Sequence, residues 1–384
     1  MSEVTIGFVG DVLIHRDNPI EVFEEVRGII KAPQIVFANL EGAYTDYPDP
    51  PLGTPAAVAP PAHNLDAFAK AGFSVMSMAN NHILDGGPKA MLETRARLRS
   101  QGVVTCGAGA NLREAREPAV VEVNDLRVAF LAYASMFPVG YDAREASPGI
   151  APLRAYNLYR EISPGAYRPG TMPFVTTVPD EGDQEKLIAD IKGAKESSDI
   201  VVASFHWGDY LRPFHITDHE KRTARLCIDH GVDAVIGHHH HALRGMEWYR
   251  GKPILYGLGH FVFDLRLNLS EEAKRRFAEL APEDAAYAAG PRAGWPLLPL
   301  HEDTRMTIFA WIRAGRDGVS TMGFLPCRMT PDGLVHPLRL GTPESDGVVS
   351  YIERCNASQR LRSRLTADNS IELAGYPTLR VAEL

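Results

Sequence analysis

Short apolar runs alternate with segments of helical period along most of the chain. VTIGFVG (residues 4–10), closed by glycine, reads as a buried strand whose carboxyl end opens into a loop. PIEVFEEVRGII (19–30) has a helical period, and QIVFANLEG (34–42) is a second strand candidate. NLDAFAKAGF (64–73) predicts a helix with Asn64 as N-cap and Gly72 just past its end. FSVMSMANNH (73–82) is a third apolar run ending in polar residues, followed by the amphipathic helix AMLETRARLRSQG (90–102). AVVEVNDLRVAFLAYAS (119–135) predicts a hairpin turning at Asn124-Asp125. Then come helix 183–199, strand IVVASFHWGD (200–209), helix 218–231 and strand VDAVIGHHHH (232–241). The repeating unit of helix, apolar strand and polar loop predicts a layered α/β architecture with helices covering sheets.

Polar residues able to bind metal or move protons collect immediately after the apolar runs. Asp11, Glu41, Asn81 with His82, His206, and the run His238–His241 each stand at such an end. Carboxyl ends of adjacent strands in an open α/β sheet converge on one crevice, where these folds place their sites. A single histidine after a strand is ordinarily structural; the recurrence at five strand ends is what points to a site. Four consecutive histidines lie far from either terminus, and neutral imidazole is a common ligand for zinc and similar ions. An H-x-H pair puts alternate side chains on one side of an extended loop, which leaves two registers, His238/His240 and His239/His241.

Composition narrows the classes. The chain has 384 residues, 45% hydrophobic and 23% charged, ordinary for a globular protein able to bury a large core. A net charge of −8 without a basic stripe argues against a nucleic-acid partner. Cys106, Cys227, Cys327 and Cys355 are scattered and form no C-x-x-C pair, so neither a zinc ribbon nor a redox motif is indicated. No apolar run is long enough to span a bilayer, and the first strand candidate begins too early to leave room for a signal peptide. The expectation is therefore a cytoplasmic protein with no membrane partner, acting on a small or oligomeric polar substrate.

Taken in order, GDVLIHR, NLEG, ANNHILDGG, HWGDY and GHHHHALRGMEWYRGKPILYGLGHFVF resemble the CapA family, named for poly-γ-glutamate capsule synthesis. That family is similar to the calcineurin-like metallophosphoesterases. The likeness runs from about Thr5 to about Asp264 and implies a metallophosphoesterase-like fold carrying two divalent ions. It implies Asp11 on one ion, Glu41 in the bridging position, the Asn81 carbonyl oxygen and His206 as further ligands, and His82 facing the substrate. Relatives often read G-x-H-P-H, which selects His239 and His241 from the two registers. Ligation by nitrogen and oxygen alone suits Mn, Zn or Fe. Asp85 is paired with His82 as a catalytic candidate, either orienting it or capping the following turn. His15 stands at D-x-x-x-H where the phosphoesterases use D-x-H, and His260 stands where relatives usually have asparagine. HWGDY leaves Asp209 alone where relatives often show a further acid.

The resemblance implies a metal-dependent hydrolase in which a hydroxide held by two ions attacks and His82 protonates the leaving group. An amide or ester is the expected bond, possibly in a γ-glutamyl or other carboxylate-bearing substrate; a phosphoester is the alternative from fold analogy. The other classes are a capsule-polymer assembly factor, whose relatives usually carry an N-terminal membrane anchor, and a metal-dependent binding module without turnover. Residues 137–174 and 265–303 are rich in Pro and Gly and read as cover over the site or packing over a sheet edge. Arg154, Tyr156, Arg160 and Arg168 are candidates to clamp an anionic group. Residues 303–312 and 318–330 predict paired strands, and 345–361 a helix. No linker is evident, so residues 1–384 are expected to form one elaborated domain with its motif core at 5–264 and C-terminal strands and helix at 303–384.

Overall fold

The computed structural model describes residues 2–51, 58–162, 165, 166, 169–265, 275, 279 and 286–384. Two large sheets form its centre. In the first, Glu3–Leu13, Ile35–Leu40, Val75–Ser77 and Val104–Cys106 run parallel in that order, and His260–Phe263 adds to Glu3–Leu13 in parallel. The same sheet continues antiparallel through Met306–Gly315, Gly318–Met329, Tyr376–Ala382 and Arg364–Leu373. In the second sheet, Leu126–Ala134, Ile200–His206, Ala234–His238 and Lys252–Leu255 are parallel, edged by Ala119–Val123 and Met246–Tyr249.

Parallel strands covered on both faces read as continuous apolar runs, and these do: Ile35–Leu40 and Ile200–His206 are buried at every position. One apolar cluster lies between the sheets, joining Ile6, Phe8 and Val75 of the first to Phe130, Val202 and Ile236 of the second. Phe37 and Phe130 stack across that space with ring centroids 5.5 Å apart. The outer face of the first sheet is covered by Phe23, Ile30, Phe68 and Leu98, and that of the second by Leu187 and Ile191 together with Ala224 and Cys227. The last four come from helices Glu181–Ser197 and Asp218–Asp229. The layers are therefore helix, sheet, sheet, helix, a layered α/β fold as expected.

Several local expectations hold for the reasons given. The hairpin turns at Asn124 and Asp125, both with positive φ (51° and 61°), which suits a two-residue turn between twisted strands. Gly72 ends its helix in the left-handed region at φ 114°. Met306–Gly315 and Gly318–Met329 pair as predicted, and the C-terminal helix spans Pro343–Gln359.

Others differ. Residues 19–30 form a short 3-10 turn, Pro19–Phe23, and a four-residue helix, Arg27–Ile30, with Val22, Phe23 and Ile29 drawn into the core. Asn64 does not cap: its side chain accepts from Arg16 N at 2.7 Å and donates to Arg16 O at 2.8 Å, tying two loops together. Within the 137–174 segment, read as cover or edge packing, Gly149–Ile150 and Ala155–Arg160 are strands; the latter pairs with Phe174–Pro179 as a separate two-stranded ribbon. Of the 265–303 cover segment, residues 266–274, 276–278 and 280–285 lie outside the described residues.

Candidate metal centre

Parallel register brings the polar strand ends together. Asp11 is aligned with Asn39 on one side and His260 on the other, and His206 is aligned with His238 in the second sheet. The close approach that seats Asp11 depends on Gly10, where a β-carbon would collide with the Gly259 carbonyl; Asp11 N donates to that carbonyl at 2.9 Å.

Asp11 is fully buried at the centre. Its Oδ1 accepts from Asn39 Nδ2 at 2.8 Å and lies 3.2 Å from His238 Nδ1, while Oδ2 accepts from His239 N at 3.3 Å and lies 3.9 Å from His241 Nδ1. Two sets of side chains can each converge on a single ion: Asp11 with Glu41 and His206, and Asp11 with His241 and His260. Asp11 belongs to both. The first strand, which carries it, lies between Ile35–Leu40 and His260–Phe263.

The other expected ligands sit around this pair. His206 Nε2 meets Asn81 Oδ1 at 2.7 Å, and its Nδ1 lies 3.4 Å from Asn39 Nδ2. His239 lies beside His206 with ring centroids 4.7 Å apart and is 5.7 Å from His241. The alternation argument for two exclusive registers does not carry over. His239 and His241 both have positive φ (88° and 56°), so the run is not extended beyond His238. His238, His239 and His241 all turn toward Asp11 or His206, and His240 alone turns away, its Nε2 2.8 Å from Glu220 Oε1.

Several donor atoms in this centre are buried with no hydrogen-bond partner in the protein. Both Glu41 carboxylate oxygens, His238 Nε2, His239 Nδ1 and His260 Nδ1 are in this state. Orphaned polar atoms of this kind are costly unless something else satisfies them. Their electrostatics fit a cation. Burial holds His206 and His241 well below the usual imidazole range and pushes His239 down to about 3 and His260 to about 4, so these rings are neutral and able to donate lone pairs. Burial, then the charges of Asp11 and Asp85, hold Glu41 well above the usual carboxyl range. Burial opposes ionisation of Asp11 too, but contact with His238 outweighs it and keeps this carboxyl low. A nitrogen and oxygen donor set of this composition fits a divalent transition ion.

His82 stands at the edge of the centre with its side chain 26% exposed and Nε2 3.9 Å from Glu41 Oε1. Its Nδ1 is 2.7 Å from Asp85 Oδ2. Asp85 is itself held from two further sides, accepting from Tyr141 Oη at 2.8 Å and from Val58 N at 2.9 Å. The Asp85 carboxylate thus joins His82, Tyr141 and Val58. His15 belongs to neither ligand set; its backbone N donates to Asp264 Oδ2 at 3.1 Å. Asp209 is engaged by Arg212 Nε at 2.7 Å and Leu211 N at 2.9 Å. Arg154 is not free to clamp an anion, being bonded to Asp183 at 2.6 Å and Asp142 at 2.8 Å. Tyr156 donates to Asp180 at 3.1 Å, and Arg168 lies outside the described residues.

Residues that the sequence reading passed over include Asn39, Tyr210 and the His240–Glu220 pair. Asn39 stands two residues before Glu41 in FANLEG, a spacing that puts both on one face of the strand end. Tyr210 meets both His239 (5.7 Å) and His241 (5.6 Å) edge-on. Its place in HWGDY beside His206 was the available signal.

Residues 5–265 match the family described as bacterial capsule synthesis protein PGA_cap. The chain belongs to that family. Among relatives of this PGA_cap member is the PGA biosynthesis protein CapA of Bacillus subtilis, 27% identical over 68% of this chain and 63% of its own length. The capsule biosynthesis protein CapA of Bacillus anthracis is 30% identical over 52% of this chain and 42% of its own. A probable polyglutamine synthesis accessory protein of Mycobacterium tuberculosis is 33% identical over 52% and 48%. The matched region thus spans less than two thirds of these curated relatives. Among solved structures, a hypothetical protein of Thermus thermophilus aligns at TM-score 0.45 and 14% identity, covering 84% of this chain and 98% of its own. A calcineurin-like phosphoesterase of Bacillus subtilis aligns at TM-score 0.34 and 11% identity, covering 93% and 97%. No described helix of this PGA_cap chain is long and apolar enough to cross a membrane.

Proposed function

We propose that this PGA_cap chain is a metal-dependent hydrolase that holds two divalent ions, Mn, Zn or Fe, and cleaves an amide or ester. The observation that carries the reading is the pair of ligand sets sharing Asp11, with the buried donors of Glu41, His238, His239 and His260 left unsatisfied by the protein itself. Asp11, Glu41, Asn81, His206, His239 and His241 would hold the ions, joined by His260 and His238 on the grounds of position. Bound there, the ions would supply Lewis acidity and lower the pKa of water.

The remaining work belongs to the chain. Asp85 takes the Nδ1 side of His82, which leaves Nε2 directed toward the centre. From that position His82 can pass a proton to a departing nitrogen or oxygen, the general-acid role. Tyr141 and Val58 fix Asp85, so the orientation of the ring is set by three separate segments. The edge position of His82 lets it reach a substrate, whereas the ligand residues lie buried behind it.

The names of the relatives favour a second reading, an accessory role in making an acidic polymer, in which the same centre handles the polymer without turnover. The two readings separate in one assay. The purified protein, loaded in turn with Mn, Zn and Fe, is screened against panels of amides, esters and phosphoesters. Turnover of an amide or ester that His82→Ala abolishes is the expected outcome. Phosphoester turnover alone would move the bond assignment, and no turnover with any metal would leave the accessory role.

A further inference from the structure

A cleft of about 480 Å³ opens beside His239, and one wall of it is the ribbon formed by Ala155–Arg160 and Phe174–Pro179. The ribbon's pairing decides which side chains face the cleft. Ala155, Asn157, Tyr159, Val175 and Thr177 share one face and all line it; Tyr156, Leu158, Arg160 and Phe174 lie on the other face. The wall is fastened to the site: Thr177 Oγ1 accepts from His219 N at 2.9 Å, and Thr177 N donates to Asp218 Oδ2 at 3.4 Å. Those residues open the helix whose Glu220 holds His240.

The cleft carries no spare cation among its described lining residues. Arg212 is spent on Asp209 at 2.7 Å, Arg154 is bonded to two acids, and Arg160 points to the opposite face. Asp218 adds a further negative charge. His215 is held below the usual imidazole range by burial and by Arg212, and so contributes no positive charge at neutral pH. The lining does carry unused polar atoms. Ser135 Oγ and His219 Nε2 are buried there without partners, and His219 is 7% exposed overall. Asn157 presents an amide on the ribbon face, and Tyr159, 68% exposed, presents a ring beside it.

We infer that this cleft is a substrate subsite for an uncharged, amide-bearing group, with the ribbon as the wall that sets specificity. An amide offers one donor and one acceptor to the unpaired atoms and a flat face to tyrosine. A carboxylate entering the same space would lose hydration with no cation to replace it. The inference rests on the hydrolase reading for the meaning of the neighbouring centre, but its test needs no turnover.

Two isosteric probes carry amides or carboxylates at the same two positions: the neutral Nα-acetylglutamine amide and the dianionic Nα-acetylglutamate. Saturation-transfer NMR is recorded on the full chain as purified and after chelation. The neutral amide is expected to bind in both states, and after chelation at least about 10-fold more tightly than the acid. Loss of one hydrogen bond, worth about 1 kcal/mol, gives roughly fivefold weaker binding in Asn157→Ala, and Tyr159→Ala should weaken it similarly. Both residues are on an exposed ribbon, so these variants should fold, which circular dichroism checks. Equal or tighter binding of the acid after chelation, no binding of the amide, or binding indifferent to both substitutions would overturn the inference. Binding of the amide without hydrolysis of any substrate would instead count against the hydrolase reading alone.

Discussion

Replacing Glu41 with leucine should change stability in opposite directions depending on whether metal is present. Both Glu41 oxygens are buried with no hydrogen-bond partner, and the group sits beside a second buried carboxyl, Asp11. An unsatisfied buried polar group costs about 1–3 kcal/mol, so Glu41→Leu should stabilise the metal-free protein by that order. Metal acts the other way. An ion bound only by the folded state at 100 times its Kd stabilises by about 2.7 kcal/mol, and Glu41→Leu should lose most of this. Unfolding entropy of about 2.1 cal/mol/K per residue gives about 0.8 kcal/mol/K for a chain of this length. Metal-free Tm should therefore rise by about 1–4 °C in the variant, while the shift on adding zinc or manganese, about 3 °C for each of two ions in the parent, should fall by about half. Differential scanning calorimetry with and without chelator reads both. A variant less stable than the parent without metal, yet with an undiminished metal shift, would refute the assignment of Glu41 as a ligand and the cost assigned to its orphaned oxygens.

The remaining expectations concern roles within and behind the centre. His82→Ala should lower turnover by about 10²–10⁴ with metal content nearly unchanged, the usual loss for a general acid, and Tyr141→Phe should lower kcat more modestly because Asp85 keeps Val58 N as a second donor. Emptying of the site in His82→Ala, read by elemental analysis, would make it a ligand instead. Single alanine variants across the histidine run should lose metal at His239 and His241 and retain it at His240, whose ring faces Glu220; loss confined to His238 and His240 would reverse the assignment. Burial pushes the Glu220 carboxyl up, but His240, then His219 and Thr217, overcome this and set it at about 2, below an unfolded value of 4.5. Its stabilisation is therefore complete above about pH 4.5 and lost as pH falls through about 2. Glu220→Gln should be less stable at pH 7 and show a flatter acid limb in urea titrations; an unchanged limb would remove Glu220 from the account.

The layered fold and the position of the centre were legible because buried parallel strands are marked by unbroken apolar runs and the polar residues that follow them. Asp11, Glu41, His206 and the histidine run all announce themselves in this way. What was hidden has a common cause. The register reasoning for His238–His241 assumed extended backbone, and left-handed φ at His239 and His241 cannot be read from neighbouring residue types that rarely adopt it. Asn64 looks like a cap, but its competing partner, Arg16, is remote in sequence and near only in the fold. The clamp suggested by Arg154 failed likewise, since Asp142 and Asp183 reach it from separate segments. That Asp11 belongs to both candidate sets follows from the strand order, with Ile35–Leu40 and His260–Phe263 on either side of Glu3–Leu13, and no local pattern encodes that order.

Metal stoichiometry tests the central claim most directly. Protein freed of loosely held ions by desalting, then measured by inductively coupled plasma mass spectrometry, should carry about two transition-metal ions per chain, as expected for a two-ion hydrolytic centre. Because Asp11 is common to both ligand sets, Asp11→Ala should lose both ions, whereas Glu41→Leu or His260→Ala should each lose one. Less than about half an ion per chain in the parent, or an Asp11→Ala variant that keeps its full complement, would contradict the account.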